Sequence, residues 1–270
     1  MSMRVVAVIL IGLLLGLPAG SSLHAQAPAG APAGGAAPPP RLWAADLEKL
    51  VGPIALYPDD LIAIVLPAAT TPMEVVKAQR FLEKLKKDPK LQPDKSMPAP
   101  VRNLLNYPEI IGMMSQDLDW TEKLGQAVVS QQKDVMAAVQ TFRRKAQAAG
   151  NLPSNDKQTV VVEKEVIQIV PADPQVIYVP QYQPTVVVVQ QPAPVVAYYP
   201  TPYPVYYYPY PPGAAFATGF FFGAATASVM HWGSASITYN VNYNEIQQNR
   251  ANYASQAQAQ RQEGATQRQT

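Results

Sequence analysis

The chain has 270 residues, 21 Lys and Arg against 19 Asp and Glu, a formal net charge of +2, and no cysteine. Near-neutral charge, with no Lys/Arg cluster interleaved with aromatics, argues against a nucleic-acid partner. The missing cysteines exclude a lipid-anchored lipoprotein and a disulfide-stapled secreted domain, so folding must rest on an apolar core alone.

The amino terminus has one charge at Arg4, an apolar run from Val5 to Leu17, then Pro18 and small or polar residues. That order is the pattern of a secretory signal peptide over residues 1–25. The run is shorter than the ~20 residues of a spanning helix, which disfavours an uncleaved anchor. Cleavage is expected after Ala25, because cleavage after Ala27 would place Pro28 beside the scissile bond. Residues 26–41 form a Pro/Ala/Gly-rich leader that buries too little apolar surface to offset its ordering entropy.

Charged residues are absent between Arg4 and Arg41 and between Asp173 and Glu245, which assigns the globular part to the middle block. "DLEKLVGPIAL" starts a short helix, and "YPDDLIAIVL" starts another, with Pro58 near its first position and Asp59 and Asp60 in its first turn. In "TPMEVVKAQRFLEKLKK", Thr71 and Glu74 have capping-box spacing, and Val75, Ala78, Phe81, Leu82 and Leu85 form one apolar stripe. After a proline-containing linker, "LLNYPEIIGMM" sets Tyr107 fifty residues beyond Tyr57, each followed by Pro and an acid, a spacing compatible with a helical duplication. Two more helices are predicted after Asp117. Asp119 is their expected N-cap with Glu122 three residues on, Val135, Ala138, Val139 and Phe142 form a stripe, and Gly150 is the stop. Residues 42–150 therefore read as a compact all-helical domain.

From Gln158 the pattern turns extended: "QTVVVEKEVIQIV", "QVIYVPQY" and "TVVVVQ" predict a small β-strand unit over 151–190, its prolines confining strands to edges. Residues 191–212 hold the stretch "VVAYYPTPYPVYYYPYPP", with seven of the fourteen tyrosines. Its prolines predict an extended, sticky spacer reaching about 55 Å at ~3.1 Å per residue. Residues 213–232 are uncharged and largely apolar, with Gly219 and Gly223 in GxxxG spacing, a pattern of membrane contact or self-association. Residues 233–270 are an Asn/Gln-rich tail, strand-like in "SITYNVNYN" and then reading as disordered. The predicted fold class is mainly α: a helical domain, a small β-strand unit, and a low-complexity, largely disordered C-terminal region with one apolar segment.

Four motifs in this order carry a resemblance: "GPIALYPDDLI" (52–62), "DLDWTEKLGQAV" (117–128), "AAGNLPSNDKQTVVVE" (148–163) and "PADPQVIYVPQY" (171–182). Over residues 44–190 the chain resembles the bacterial family named domain of unknown function 3300. The resemblance implies an exported protein of Gram-negative bacteria and no particular activity. Pro67, where relatives more often continue the helix, raises the question whether the second helix runs unbroken to Thr70.

A nucleophile with a histidine base is disfavoured, because His24 leaves with the signal peptide or sits at the new terminus, and His231 has no acid near it in sequence. No Cys or HxxxH spacing points to a metal, and no cofactor is expected. Asp59/Asp60 and Asp117/Asp119 are carboxylate pairs, but acids at helix starts act first as capping and dipole partners. Tyr57, Asp59, Tyr107, Asp119 and Trp120 are the candidate binding residues, the aromatics as a groove wall or as core staples. The function expected is a non-enzymatic binding or structural role in the periplasm or cell envelope, with an envelope protein or polymer as partner. Membrane contact or self-association would run through Gly219 and Gly223. The alternatives are an enzyme acting on envelope polymers, with Asp59, Asp119 or Glu122 as acid or base, and a membrane-spanning oligomer through 213–232.

Overall fold

A computed structural model describes residues 41–173, 176–192, 196–200, 203–204 and 226–242, with single helical residues at 255, 259 and 262. The signal peptide, the leader up to residue 40, Gly219 and Gly223 lie outside the described residues.

Helix α2, Asp59–Ala69, is buried at every position from Leu61 to Ala69. A helix apolar on all sides must be surrounded. Around it pack α3 (Pro72–Leu85), α4 (Ala99–Leu104) and α6 (Leu118–Ala148). Helix α1 (Ala44–Val51) lies along α6, and α3 rests on α5 (Pro108–Gln116). Pro67 does not break α2, which continues to Ala69. It sits in the last turn, where its missing N–H removes a single backbone bond, and the Thr70 hydroxyl caps the Pro67 carbonyl at 2.7 Å.

Helix α6 has 31 residues and a break at Gln131 (φ −151°, ψ 47°), so the two helices expected here are two arms of one bent element. At the break the Gln131 side-chain oxygen accepts the Leu42 N–H at 3.1 Å. The first arm touches α2 backbone to backbone: a Cβ on Gly125 would fall 2.1 Å from the Ala69 carbonyl oxygen. Two caps differ from expectation. The N-cap of α6 is Asp117, whose carboxylate accepts the Trp120 N–H at 3.0 Å, because the helix already begins at Leu118 and leaves Asp119 inside its first turn. Thr71 makes no capping box; its hydroxyl donates backwards to the Ala68 carbonyl at 3.2 Å. Gly150, at φ +79°, ends α6 as expected, with the Asn151 N–H returning to the Ala146 carbonyl.

Strands β1 (Gln158–Glu163) and β2 (Val166–Pro171) form an antiparallel hairpin. Lys164 takes φ 55° in its turn. Gln140 of α6 clasps β2, its amide donating to the Ile167 carbonyl at 3.0 Å and accepting the Ile167 N–H at 2.8 Å. Strands β3 (Val176–Ile177) and β4 (Pro180–Gln181) are two residues each. "TVVVVQ", expected as a strand, is instead the one-turn helix α7, Pro184–Val187. Pro184 presets the first helical φ, and tertiary contacts override the β preference of valine.

Where it is described, the Tyr/Pro stretch is extended and paired. Its β5 (Ala197–Tyr198) and β6 (Tyr203–Pro204) return antiparallel to β4 and β3. Of the apolar segment 213–232, only its end is described: Thr226–His231 is β7, paired with β8 (Ser236–Asn242) in a hairpin on α2. Met230 and Ile237 of that hairpin belong to the core. Four two-stranded ladders on a helical body make the described architecture.

Candidate functional site

Tyr57 and Tyr107, read as a groove wall or as core staples, are 3% and 1% exposed and belong to the core. Trp120 is half-buried, its indole N–H donating to the Leu50 carbonyl at 2.8 Å, which ties the start of α6 to the end of α1. Asp119 is exposed on the first turn of α6. Asp59 departs from all of these, because it lies at a junction of three parts of the chain.

The side chain of Arg143, in the second arm of α6, is completely buried. Its Nε donates to the Ala55 carbonyl at 2.8 Å and its Nη2 to the Tyr57 carbonyl at 2.9 Å. Nη1 serves both the Ile167 carbonyl of β2 at 2.7 Å and the Asp59 carboxylate at 2.6 Å. The other Asp59 oxygen accepts the Trp232 indole N–H at 2.7 Å, and the Ile169 N–H adds a longer bond of 3.3 Å to the first. The Trp232 ring lies 4.9 Å from the guanidinium carbon, within cation–π range. Burial pushes the Asp59 carboxyl upward, while the Arg143 charge and the three donors pull it back. Both carboxylate oxygens of the acid are thus engaged by the protein itself.

Tyr182 completes the junction. Its hydroxyl donates to the Gly52 carbonyl at 2.8 Å and accepts the Leu56 N–H at 3.0 Å. "PADPQVIYVPQY" therefore grips the turn of "GPIALYPDDLI", one motif holding the other. Arg143, Trp232 and Tyr182 were not among the expected site residues. Arg143 hides in the basic run "FRRKA", and Trp232 closes a segment read as low in complexity.

Open concavities lie elsewhere. One, of about 1060 Å³, runs between the turns of the β1–β2 and β7–β8 hairpins, with Glu163, Lys164, Gln168 and Trp232 on its walls. A second, of about 470 Å³, lies beyond the C-terminal end of α6, and none of the described residues lining it is charged. Its polar wall is amide-rich: Asn151, Asn155, Gln158, Gln190 and Gln191 surround it together with the phenol of Tyr198. The motif "AAGNLPSNDKQTVVVE" supplies the first three, and the Tyr/Pro stretch supplies the phenol. Among the described residues no group of three or more His, Cys, Asp or Glu could hold a metal ion. No single described helix is long and apolar enough to cross a membrane.

A family profile described as protein of unknown function (DUF3300) matches residues 43–267. The match extends well beyond the expected 44–190 and takes in the β7–β8 hairpin. The chain is 36% identical over 122 residues to the uncharacterized protein YacH of Escherichia coli (strain K12), covering 43% of this chain and 20% of that protein. It thus spans about a fifth of the length of the curated relative it matches. No solved structure matches.

Proposed function

The chain belongs to that family of proteins of unknown function, and from this premise we propose that it is an exported cell-envelope protein with a non-enzymatic binding or organising role. The observation that carries the reading is the engagement of Asp59. A general acid or base must keep an oxygen within reach of its substrate, and both Asp59 oxygens are taken by Arg143, Trp232 and the Ile169 N–H. Asp119 and Glu122 stand in the opening turns of α6, where carboxylates favour the helix dipole. Export is supported by Arg4, the apolar run from Val5 to Leu17 and the small residues that follow. The partner is an envelope polymer or protein, and the uncharged amide-lined hollow beyond α6 is the surface suited to it.

The test is fractionation of Gram-negative cells producing the full chain, followed by amino-terminal sequencing. Recovery from the periplasmic or envelope fraction with Gln26 as first residue is the expected result; cytosolic protein starting at the initiator methionine would overturn export. A second arm incubates purified chain with cell-wall glycan. No turnover is expected, whereas turnover abolished by Asp59→Asn, Asp119→Asn or Glu122→Gln would establish an enzyme instead.

A further inference from the structure

The hollow beyond α6 has the chemistry of a site for an uncharged, hydroxyl-rich ligand. Asn151 is 8% exposed, and its amide nitrogen donates to the Val187 and Val189 carbonyls, both at 2.9 Å. Gln158 is 4% exposed, and its amide nitrogen donates to the Pro153 carbonyl at 3.1 Å. Those bonds fix which way each amide faces. Both side-chain oxygens are therefore acceptors of fixed identity, and neither receives a bond from any described residue. Neither oxygen is a sealed, unpartnered atom, so both are open to a donor from a molecule in the hollow.

The remaining wall supplies the complementary half. The Tyr198 hydroxyl accepts the Asn155 amide N–H at 3.1 Å, which leaves its own proton for an incoming oxygen. Burial pushes the Tyr198 phenol up, so at neutral pH it stays a donor. At the rim, the side chains of Gln190 and Gln191 make no hydrogen bond with the described fold and can both donate and accept. The described lining carries no charge, and the nearby Lys157 ammonium, 6.0 Å from the Tyr198 ring centre, is already paired with Asp156 at 2.8 Å. A charged ligand therefore gains little there, while an apolar one would cover the Asn151 and Gln158 oxygens without bonding them. Hydroxyl groups, each donor and acceptor at once, match both sets. Pro153, Pro192 and Val196 add apolar faces for the C–H side of a sugar ring. The volume of about 470 Å³ lies within the usual range for small-ligand sites, about 300–1,000 Å³.

We propose that this pocket binds a short segment of a neutral saccharide, held by Asn151, Gln158 and Tyr198 and gripped at the rim by Gln190 and Gln191. The inference rests on the binding role proposed above and names the ligand class for it. The test is calorimetric titration of the purified full chain with two neutral probes, an N-acetylglucosamine tetramer and maltotetraose, and with an uncharged Gly/Ala/Pro peptide. Saturable binding of at least one saccharide is expected, weakened at least tenfold in Tyr198→Phe and in the Gln190→Ala/Gln191→Ala double variant. Those positions are partly or fully exposed, so an unchanged thermal midpoint will show that the variants remain folded. Overturning results are no binding of either saccharide, binding untouched by the variants, or binding of the peptide alone. Titration uses purified chain, so its failure leaves the export result standing, and cytosolic location in the fractionation would leave the titration standing.

Discussion

Trp232 donates its indole N–H to the Asp59 carboxylate across 173 residues of sequence, at 2.7 Å. Together with the Met230 and Ile237 side chains, that bond fixes the β7–β8 hairpin to the helical body. Replacing Trp232 by Phe keeps an aromatic face near Arg143 but strips one donor from a largely buried carboxylate. The expected loss is about 1–3 kcal/mol in urea unfolding. Limited proteolysis should then cut within 226–242 faster than in the unaltered chain. Equal cleavage rates would show that apolar contacts alone hold the hairpin.

Arg143 makes a harder demand, since one guanidinium serves three carbonyls and a carboxylate. A lysine ammonium cannot reproduce that fork, so Arg143→Lys is expected to cost nearly as much as Arg143→Met, about 3–5 kcal/mol. Against a typical total stability of about 5–15 kcal/mol, either change removes a large share. Adding Asp59→Leu to Arg143→Met should recover part of the loss, because the stranded acid disappears while the Ala55, Tyr57 and Ile167 carbonyls still lack a donor. Midpoint denaturant concentrations of the two single variants and the double variant decide the point.

The helices were legible in sequence because their signals are local: apolar stripes, Pro58 and Pro72 at helix starts, and Gly150 at the stop of α6. The fate of Asp59 was not. A carboxylate in the first turn of a helix reads as a dipole partner until the remote Arg143 and Trp232 are brought to it, and no spacing rule joins positions so far apart. "TVVVVQ" misled for a related reason. Its valines favour strands, yet Asn151 collects the Val187 and Val189 carbonyls and α7 forms. The Tyr/Pro stretch read as a spacer because its pairing partners, Val176–Ile177 and Pro180–Gln181, are only two residues each. The amide pocket escaped although three of its residues lie in one motif, because Asn and Gln follow no spacing rule for a site; only their convergence with Tyr198 and the Gln190–Gln191 pair marks it.

Two glycines in helices should respond in opposite directions to the same substitution. Gly125→Ala would place a methyl 2.1 Å from the Ala69 carbonyl oxygen and 2.6 Å from its carbon, so α2 and α6 must move apart. Overpacking of this kind costs about 1–3 kcal/mol or more. In α5, the nearest atom to a Cβ on Gly112 is the Gln79 amide oxygen at 3.9 Å. There the change only removes backbone entropy, and Gly112→Ala should stabilise by about 0.5–1 kcal/mol. Thermal unfolding of the two variants side by side gives both signs.

Alkaline pH should open the fold through Tyr182 and Tyr57. Burial holds both phenols well above their usual value of 10.0, and Tyr182 also donates to the Gly52 carbonyl, which a phenolate cannot do. Folded-state values raised above the unfolded one mean that the folded state keeps these protons longer. The stability they contribute is therefore complete below pH 10 and declines as pH rises above it. Absorbance of phenolate during a pH titration should show a final group appearing only with loss of helical circular dichroism. Tyr182→Phe lowers stability at neutral pH by about 1–3 kcal/mol, since the Gly52 carbonyl and Leu56 N–H lose their partner. The same variant should flatten the decline above pH 10; an unchanged slope would assign alkaline unfolding to other groups.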